Sequence, residues 1–264
     1  MMTLPVTNLE SGDVLCDAVA ACRKMAITLR DADTQTKMMK QWLKKVASKL
    51  PVAWQLDLKR WYFRGQIRRN NFVTSEPEFA ILDTLIKPGD WTIDVGANIG
   101  HYTKRLSDLC GADGRVLAFE PIPETFALLA SNVTLFTNAN VTLLNFAASS
   151  RMSAAGMEIP SFDIGLKNYY EASISASGAG MQVLTLKIDS LEIERKISLV
   201  KIDVEEHEAQ VLEGMAKLLE RDHPTLIVET GSNDVIQMLE SRYVYRSERL
   251  PDSPNVLFRY EKGG

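Results

Sequence analysis

The feature that most constrains this chain is a regular alternation of short β-type runs and helical patterns after Glu76. Such alternation, with helices long enough for right-handed crossovers, predicts a mostly parallel sheet covered by helices on both faces. The predicted strands are residues 91–95, 115–120, 141–145, 198–203 and 225–229. The predicted helices are residues 101–110, 123–136, 207–220 and 232–241.

The end of the chain has a different pattern. Residues 243–247 and 255–260 are short β-type runs, and a Leu-Pro-Asp-Ser-Pro turn lies between them, so we expect an antiparallel hairpin. Together these elements predict an α/β fold, a doubly wound and mostly parallel seven-stranded sheet that is finished by a C-terminal antiparallel hairpin.

The chain divides into two regions by this pattern. We expect residues 1–75 to form a helical N-terminal extension and residues 76–264 to form the main domain. Within the main domain, residues 149–180 are rich in Ser, Ala and Gly and interrupt the alternation. This stretch is interpreted as an insertion that partly covers the active site, with a variable surface loop as the alternative.

The charge of the chain is unevenly distributed, although its formal net charge is only −4. Residues 37–69 contain ten basic residues and one acid, Asp57, and their apolar residues recur at near-helical spacing. One interpretation is a helix that packs on the main domain with a solvated basic face. The other is a surface that recruits an anionic acceptor or contacts anionic lipid at a membrane.

Composition excludes several other classes. Apolar residues make up 45% of the chain and charged residues 24%, which is ordinary for a folded protein. Three cysteines without paired metal-ligand spacing indicate a reducing compartment rather than a disulfide scaffold. No stretch approaches the roughly 18 apolar residues of a membrane span, and the start lacks a signal-peptide pattern. We therefore expect a cytoplasmic protein with no transmembrane segment.

A glycine-containing turn follows the first predicted strand. Gly96 and Gly100 flank it and a helix begins directly afterwards, an arrangement that binds adenosine-containing ligands. Asn98 stands where a dinucleotide-binding turn has its second glycine, and the carboxylate of Asp94 is a poor neighbour for a pyrophosphate. The turn therefore favours S-adenosylmethionine (SAM) over NAD, with Asp94 holding the turn or meeting the amino group of the methionine moiety.

Further SAM contacts are expected along the sheet edge. Glu120 ends the next strand, twenty residues after Gly100, where a carboxylate can accept hydrogen bonds from both ribose hydroxyls. Asn145 is expected at the adenine edge with Ala147 beside the ring, while Thr103 faces the methionine end and Glu76 closes over the ligand. The candidate cofactor-binding residues are thus Glu76, Asp94, Gly96, Asn98, Gly100, Thr103, Glu120, Asn145 and Ala147.

The sequence resembles the FkbM family of SAM-dependent methyltransferases. The matching stretches lie in family order at residues 93–103, 118–121, 188–191, 200–205 and 224–229. The resemblance implies a Rossmann-like SAM methyltransferase fold. It also implies O-methylation of a hydroxyl group, usually on a sugar of a glycan, glycolipid or glycosylated natural product.

One position departs from the family pattern. The family typically has glycine where this chain has Glu206, in the stretch Asp203-Val204-Glu205-Glu206-His207-Glu208. If that glycine takes a positive φ or lets the acceptor approach, a glutamate adds strain, bulk and charge.

The chemistry at the acceptor needs alignment of two reactants and removal of a proton. His207, Glu205 and Asp203 follow the fourth predicted strand and are the candidate catalytic residues, with His207 and Glu205 as alternative bases. A metal-assisted version is a second possibility, in which Asp203, Glu205 and Glu229 supply oxygen ligands to Mg²⁺.

Other functions and partners follow from these patterns. The alternatives from other classes are a non-catalytic SAM-fold binding protein, motivated by Glu206, and an NAD-dependent oxidoreductase. We expect a small-molecule or glycan acceptor and no nucleic acid, because no Asn-Pro-Pro-Tyr or Asp-Pro-Pro-Tyr motif follows the fourth strand. A homodimer is expected only because dimers are common.

Overall fold

The structure is a computed structural model that describes residues 51–160, 168–175 and 177–261, without the side chains of Val52 and Tyr170. The chain divides into two compact units, Met1–Leu50 and Pro51–Gly264. All described residues belong to the second unit. Residues 1–50 of the expected N-terminal extension, which include residues 37–50 of the basic segment, lie outside the described residues, as do residues 161–167 and 176 of the expected insertion.

The main sheet has seven strands: β1 (Trp91–Val95), β2 (Arg115–Phe119), β3 (Val141–Leu144), β8 (Ile197–Ile202), β9 (Thr225–Glu229), β10 (Tyr245–Arg249) and β11 (Asn255–Tyr260). Their order across the sheet is β3-β2-β1-β8-β9-β11-β10. All neighbours pair in parallel except β11, which runs antiparallel to both β9 and β10. This confirms the predicted doubly wound sheet with a C-terminal hairpin, the layout of Rossmann-like SAM methyltransferases.

Helices cover both faces of this sheet. Side chains alternate between the two faces along each strand, so they belong to two different hydrophobic clusters. Ile93 and Val200 belong to the cluster that also holds Leu212, while Leu199 belongs to the cluster that also holds Tyr102. The helices of the described chain are α1 (Val52–Arg68), α2 (Pro77–Leu85), α3 (His101–Cys110), α4 (Pro123–Val133), α5 (Glu208–Gly214), α6 (Ala216–Asp222) and α7 (Asn233–Tyr243).

The prediction of one helix over residues 207–220 is wrong, because Met215 interrupts it with φ −122° and ψ 23°. Gly214 is the last residue of α5. A Cβ atom at this position would lie 2.0 Å from the carbonyl oxygen of Ser149, so the end of α5 packs directly against the backbone at Ser149. The second helix then starts where both carboxylate oxygens of Asp189 accept hydrogen bonds from the backbone N–H groups of Lys217 and Leu218.

A second, four-stranded sheet was not predicted from the sequence. Its order is β4-β7-β5-β6, with β5 antiparallel to both of its neighbours. It occupies much of the stretch that was expected to be an insertion, and it continues to residue 186. Its strands are β4 (Ala147–Ala148), β5 (Ser153–Glu158), β6 (Ser173–Ile174) and β7 (Met181–Leu186).

Helix α1 carries the described half of the basic segment and packs on the main domain. Its apolar side places Ile67 in a cluster with Ile99 and Leu128, while Trp61 and Tyr62 are exposed. Whether the basic side binds an anionic partner stays a prediction. Among the described residues, no helix is both long and apolar enough to cross a membrane.

Candidate functional site

A cleft opens at the carboxyl ends of β1, β2 and β8, at the edge of the sheet where ligands of such folds bind. The main sheet contributes the residues that follow these strands, and the second sheet contributes the opposite wall. The lining residues include Gly96, Asn98, Glu120, Phe146, Ala147, Tyr169, Ser173, Asp203, Glu205 and His207.

The glycine turn is a rigid floor for this cleft. Gly96 has φ +80°, and a Cβ atom on it would lie 1.9 Å from the carbonyl oxygen of Asp203, so no other residue fits there. The backbone N–H groups of Gly96 and Ala97 both donate to the carbonyl of Phe119, at 3.0 and 2.9 Å. Asn98 and Gly100 continue the turn with positive φ. The turn therefore ties β1, β2 and β8 together.

Asp94 is a buried carboxylate with one free oxygen. Its side chain is almost fully buried, and its Oδ2 accepts a hydrogen bond of 2.5 Å from the hydroxyl of Thr103. Its Oδ1 has no hydrogen-bond partner among the described residues. Burial raises the pKa of this carboxyl, and the charge of Lys201 opposes that rise. Because an unpaired buried oxygen is costly, it is suited to a ligand N–H group.

Glu120 is held by the backbone on both sides. Its Oε2 accepts from the N–H of Asn98 and its Oε1 from the N–H of Ile122, both at 2.9 Å. Burial raises the pKa of this carboxyl to about 7, although the two backbone hydrogen bonds oppose the shift. Each oxygen keeps a lone pair for a further donor, so the fixed carboxylate can accept two hydroxyl hydrogen bonds.

Several predicted SAM contacts are placed behind the lining instead of in it. Asn145 is exposed, and its amide nitrogen donates to the carbonyls of Glu120 and Pro121, while Phe146 and Ala147 line the cleft. Thr103 is fully buried beneath Asp94. Glu76 hydrogen-bonds to the hydroxyl of Tyr102. None of these three side chains is among the residues that line the cleft.

The three predicted catalytic residues line the other side of the cleft. His207 Nε2 lies 3.0 Å from the hydroxyl oxygen of Ser149, and partial burial lowers the pKa of its imidazole. Most of the Glu205 side chain is exposed. The partial loss of solvent around its carboxyl raises the pKa, and the charge of nearby Asp203 adds to the rise. A neutral imidazole at physiological pH is able to accept a proton.

Glu206 occupies the left-handed region with φ +56°. The position therefore has the positive φ on which its strain depends in this chain. Its side chain is exposed and is not part of the cleft lining.

Sequence reasoning missed Lys201, which the structure places between the two sides of the site. Its side chain is 1% exposed, and its Nζ lies 2.6 Å from Asp203 Oδ2. A lysine within the apolar strand Ile197–Ile202 was the available signal, because lysine is almost never fully buried unless it is paired. Glu229 also contacts Asp203, and burial together with that neighbour raises its pKa to about 7.

The Mg²⁺ expectation gains no support from this arrangement. Within residues 51–160, 168–175 and 177–261, no group of three or more His, Cys, Asp or Glu side chains is arranged to hold a metal ion. Asp203, one of the three expected ligands, already bonds to Lys201 and Glu229.

The sheet order, the glycine turn and the two buried carboxylates define the class of Rossmann-like SAM methyltransferases. The family model described as the methyltransferase FkbM domain matches residues 94–247, which is more than half of the chain. The chain therefore belongs to the FkbM methyltransferase family.

One curated relative is the hexuronic acid methyltransferase AglP of Haloferax volcanii, 32% identical over 130 residues. The match covers 48% of this chain and 50% of that protein, so it spans half of the relative. Among solved structures, the FkbM methyltransferase of Methylobacillus flagellatus has a TM-score of 0.49 and 15% identity over 69% of this chain and 50% of that one. Fibrillarin of Aeropyrum pernix, solved with natively bound S-adenosyl-L-methionine, has a TM-score of 0.43 and 15% identity over 69% and 72%.

Proposed function

We propose that this chain transfers a methyl group from SAM to a hydroxyl group of a sugar. The observation that carries the proposal is a pair of buried carboxylates: Glu120 lines the cleft, and Asp94 lies in the chain directly before the lining residues Val95 and Gly96. Asp94 offers an oxygen without a partner, and Glu120 offers two oxygens in a plane fixed by the backbone.

The residues at this end of the cleft fit the parts of SAM. Asp94 would bind the amino group of the methionine moiety, and Glu120 would bind the two ribose hydroxyls. Phe146 and Ala147 supply apolar surface for the adenine ring. When bound, SAM supplies an electrophilic methyl group on its sulfonium. The protein then has to align the acceptor and take its proton.

The acceptor side favours a group that must lose a proton. His207 is the base we favour, because burial lowers the pKa of its imidazole and keeps it neutral, and its Nε2 already lies at hydrogen-bond distance from Ser149. Glu205 is the alternative base, and Asp203 would bind the acceptor at the same edge. A sugar acceptor is supported by the name of the AglP relative, whose match covers 48% of this chain and 50% of that protein.

Donor binding is tested by calorimetric titration with SAM, S-adenosylhomocysteine (SAH) and NAD. We expect SAM and SAH to bind and NAD not to bind, and we expect Asp94→Asn to weaken SAM by roughly ten- to a hundredfold because an N–H acceptor loses its charge. Asp113→Asn is the matched control, since Asp113 is exposed on a loop after α3. An absence of SAM binding to the unmodified chain would reject the proposal.

Acceptor chemistry is tested with neutral glycosides and uronic acid glycosides, followed by alkaline treatment of the product. A methyl ether on a hydroxyl survives mild alkali, whereas a methyl ester on a carboxylate is cleaved. We expect an alkali-stable product. His207→Asn should lower kcat by roughly 10²- to 10⁴-fold with little change in the Kd of SAM. If only Glu205→Gln has this effect, the base is Glu205.

A further inference from the structure

Lys201 stands out because nothing in the proposed transfer so far uses it. It lies on β8 in register with Asp94 of β1, and parallel neighbours in register point to the same face of the sheet. Its side chain is 1% exposed, and burying an ammonium group costs several kcal/mol unless opposite charges surround it. A buried lysine in the centre of the sheet therefore needs specific partners that stabilise its charge.

The partners of Lys201 come from both sides of the cleft. Its Nζ donates to Asp203 Oδ2 at 2.6 Å, and Asp203 lines the acceptor side. Asp94, on the donor side, is the next strongest charge acting on it. Burial alone would lower the pKa of this ammonium, but Asp203 and Asp94 raise it above its usual value, so Lys201 stays charged.

The remaining wall is aromatic. The ring of Tyr102 on α3 lies with its centroid 4.3 Å from Nζ, close enough for a cation–π interaction. The hydroxyl of Tyr102 is in turn held by Glu76 and Glu78, and Glu78 binds Ser253 and Asn255. The ammonium is therefore fixed in place by α2, α3 and the C-terminal hairpin.

We propose that Lys201 is a positioning residue whose buried ammonium holds Asp203 and offsets the charge of Asp94, and so sets the net charge between the donor and acceptor sides. The inference rests on the proposed function. It has a consequence that does not depend on the acceptor: SAM carries one more positive charge than SAH, so a cation beside Asp94 lowers the affinity for SAM relative to SAH.

The test measures the SAM-to-SAH affinity ratio by calorimetry, for the unmodified chain and for Lys201→Met. Methionine keeps the unbranched volume and removes the charge. We expect the ratio to rise about three- to tenfold in favour of SAM, a size set by an effective dielectric constant near 20 and by salt screening. A purely structural role would weaken both ligands together and leave the ratio unchanged, which would overturn the proposal.

A matched control removes a buried charge that contacts the other end of β8 from the end of α6. Asp222 is buried and accepts a hydrogen bond of 2.8 Å from the N–H of Ile197, where β8 begins. Asp222→Asn should lower the melting temperature without moving the ratio. If the ratio moves as much as in Lys201→Met, the effect is not local to the site and the proposal fails.

A second pair of variants covers the case in which Lys201→Met does not fold. Lys201→Met combined with Asp94→Asn removes a charge together with its counter-charge, which relieves the burial of an uncompensated carboxylate. The ratio in this double variant should exceed that in Asp94→Asn alone by the same three- to tenfold, and equal ratios would overturn the proposal. If the unmodified chain binds neither SAM nor SAH, the proposed function fails first and this inference falls with it.

Discussion

Replacing Glu206 with glycine separates backbone strain from function at a position where this chain departs from the family pattern. Glu206 has φ +56°, and its side chain is exposed. A left-handed conformation costs a non-glycine residue about 1–2 kcal/mol. Glycine avoids this cost but loses about 0.5–1 kcal/mol because it is freer in the unfolded chain. The net gain in the free energy of unfolding is therefore about 0.5–1 kcal/mol.

The assay is thermal and denaturant unfolding of Glu206→Gly and Glu206→Ala. The gain should raise the melting temperature of a chain of this size by about 2 °C. Alanine removes the charge but keeps the Cβ atom, so it should not reproduce the gain. Equal stabilisation by alanine and glycine would show that charge repulsion, and not the backbone, is the source of the cost.

A matched control and the turnover complete the test. Asp252 is also acidic and exposed, with φ +56°, but it lies in the turn of the C-terminal hairpin. Asp252→Gly should stabilise by a similar amount and leave turnover unchanged. Because Glu206 is outside the cleft lining, Glu206→Gly should change turnover by less than about threefold. A tenfold rise in turnover would refute this reasoning and would show that the glutamate obstructs the acceptor.

Three further predictions concern charge in the cleft. The pKa of Glu120 is raised to about 7, so the stability of the ligand-free protein should fall as pH rises from about 4.5 to 7, and Glu120→Gln should remove that loss in pH-dependent unfolding. The ribose hydroxyls need the ionised carboxylate, so the SAM affinity of the unmodified chain should weaken as pH falls from 8 to 6, and a flat profile would contradict the assignment. Methyl transfer should survive EDTA, because Asp203, an expected Mg²⁺ ligand, already bonds to Lys201 and Glu229. A loss of activity that Mg²⁺ restores would contradict this prediction.

The sheet was predictable because its signals are local. Each strand of the parallel part is a short apolar run, and the hairpin is marked by two prolines and an aspartate between β-type runs. The second sheet was missed because its strands β5 and β7 are bordered by serine, alanine and glycine, which also mark loops. Its pairing joins residues 153–157 to residues 181–185, a contact distant in sequence that no short window contains.

The position of a candidate site residue was predictable where the backbone alone fixes it. It was not predictable where hydrogen-bond partners determine which way the side chain points. The structure places Gly96 and Glu120 in the cleft lining and buries Asp94 next to it, because the glycine turn and the strand end fix their positions directly. Asn145 was expected to face the ligand, but the carbonyls at the end of β2 take its amide donors. The sequence shows that a polar side chain is present, but it does not show which backbone groups form hydrogen bonds with it.

The central pair of strands nevertheless contains a pattern that bears on the charge of the site. Ile93-Asp94-Val95 and Val200-Lys201-Ile202 both place one charged residue between two apolar residues. Side chains alternate along a strand, so in each case the apolar pair faces one cluster and the charge faces the other side. The register pairs Asp94 with Lys201, and α3 covers that face with Thr103 and Tyr102. Two opposite charges on adjacent central strands, each too costly to bury alone, therefore offset each other beside the cleft, while the salt bridge of Lys201 itself is with Asp203.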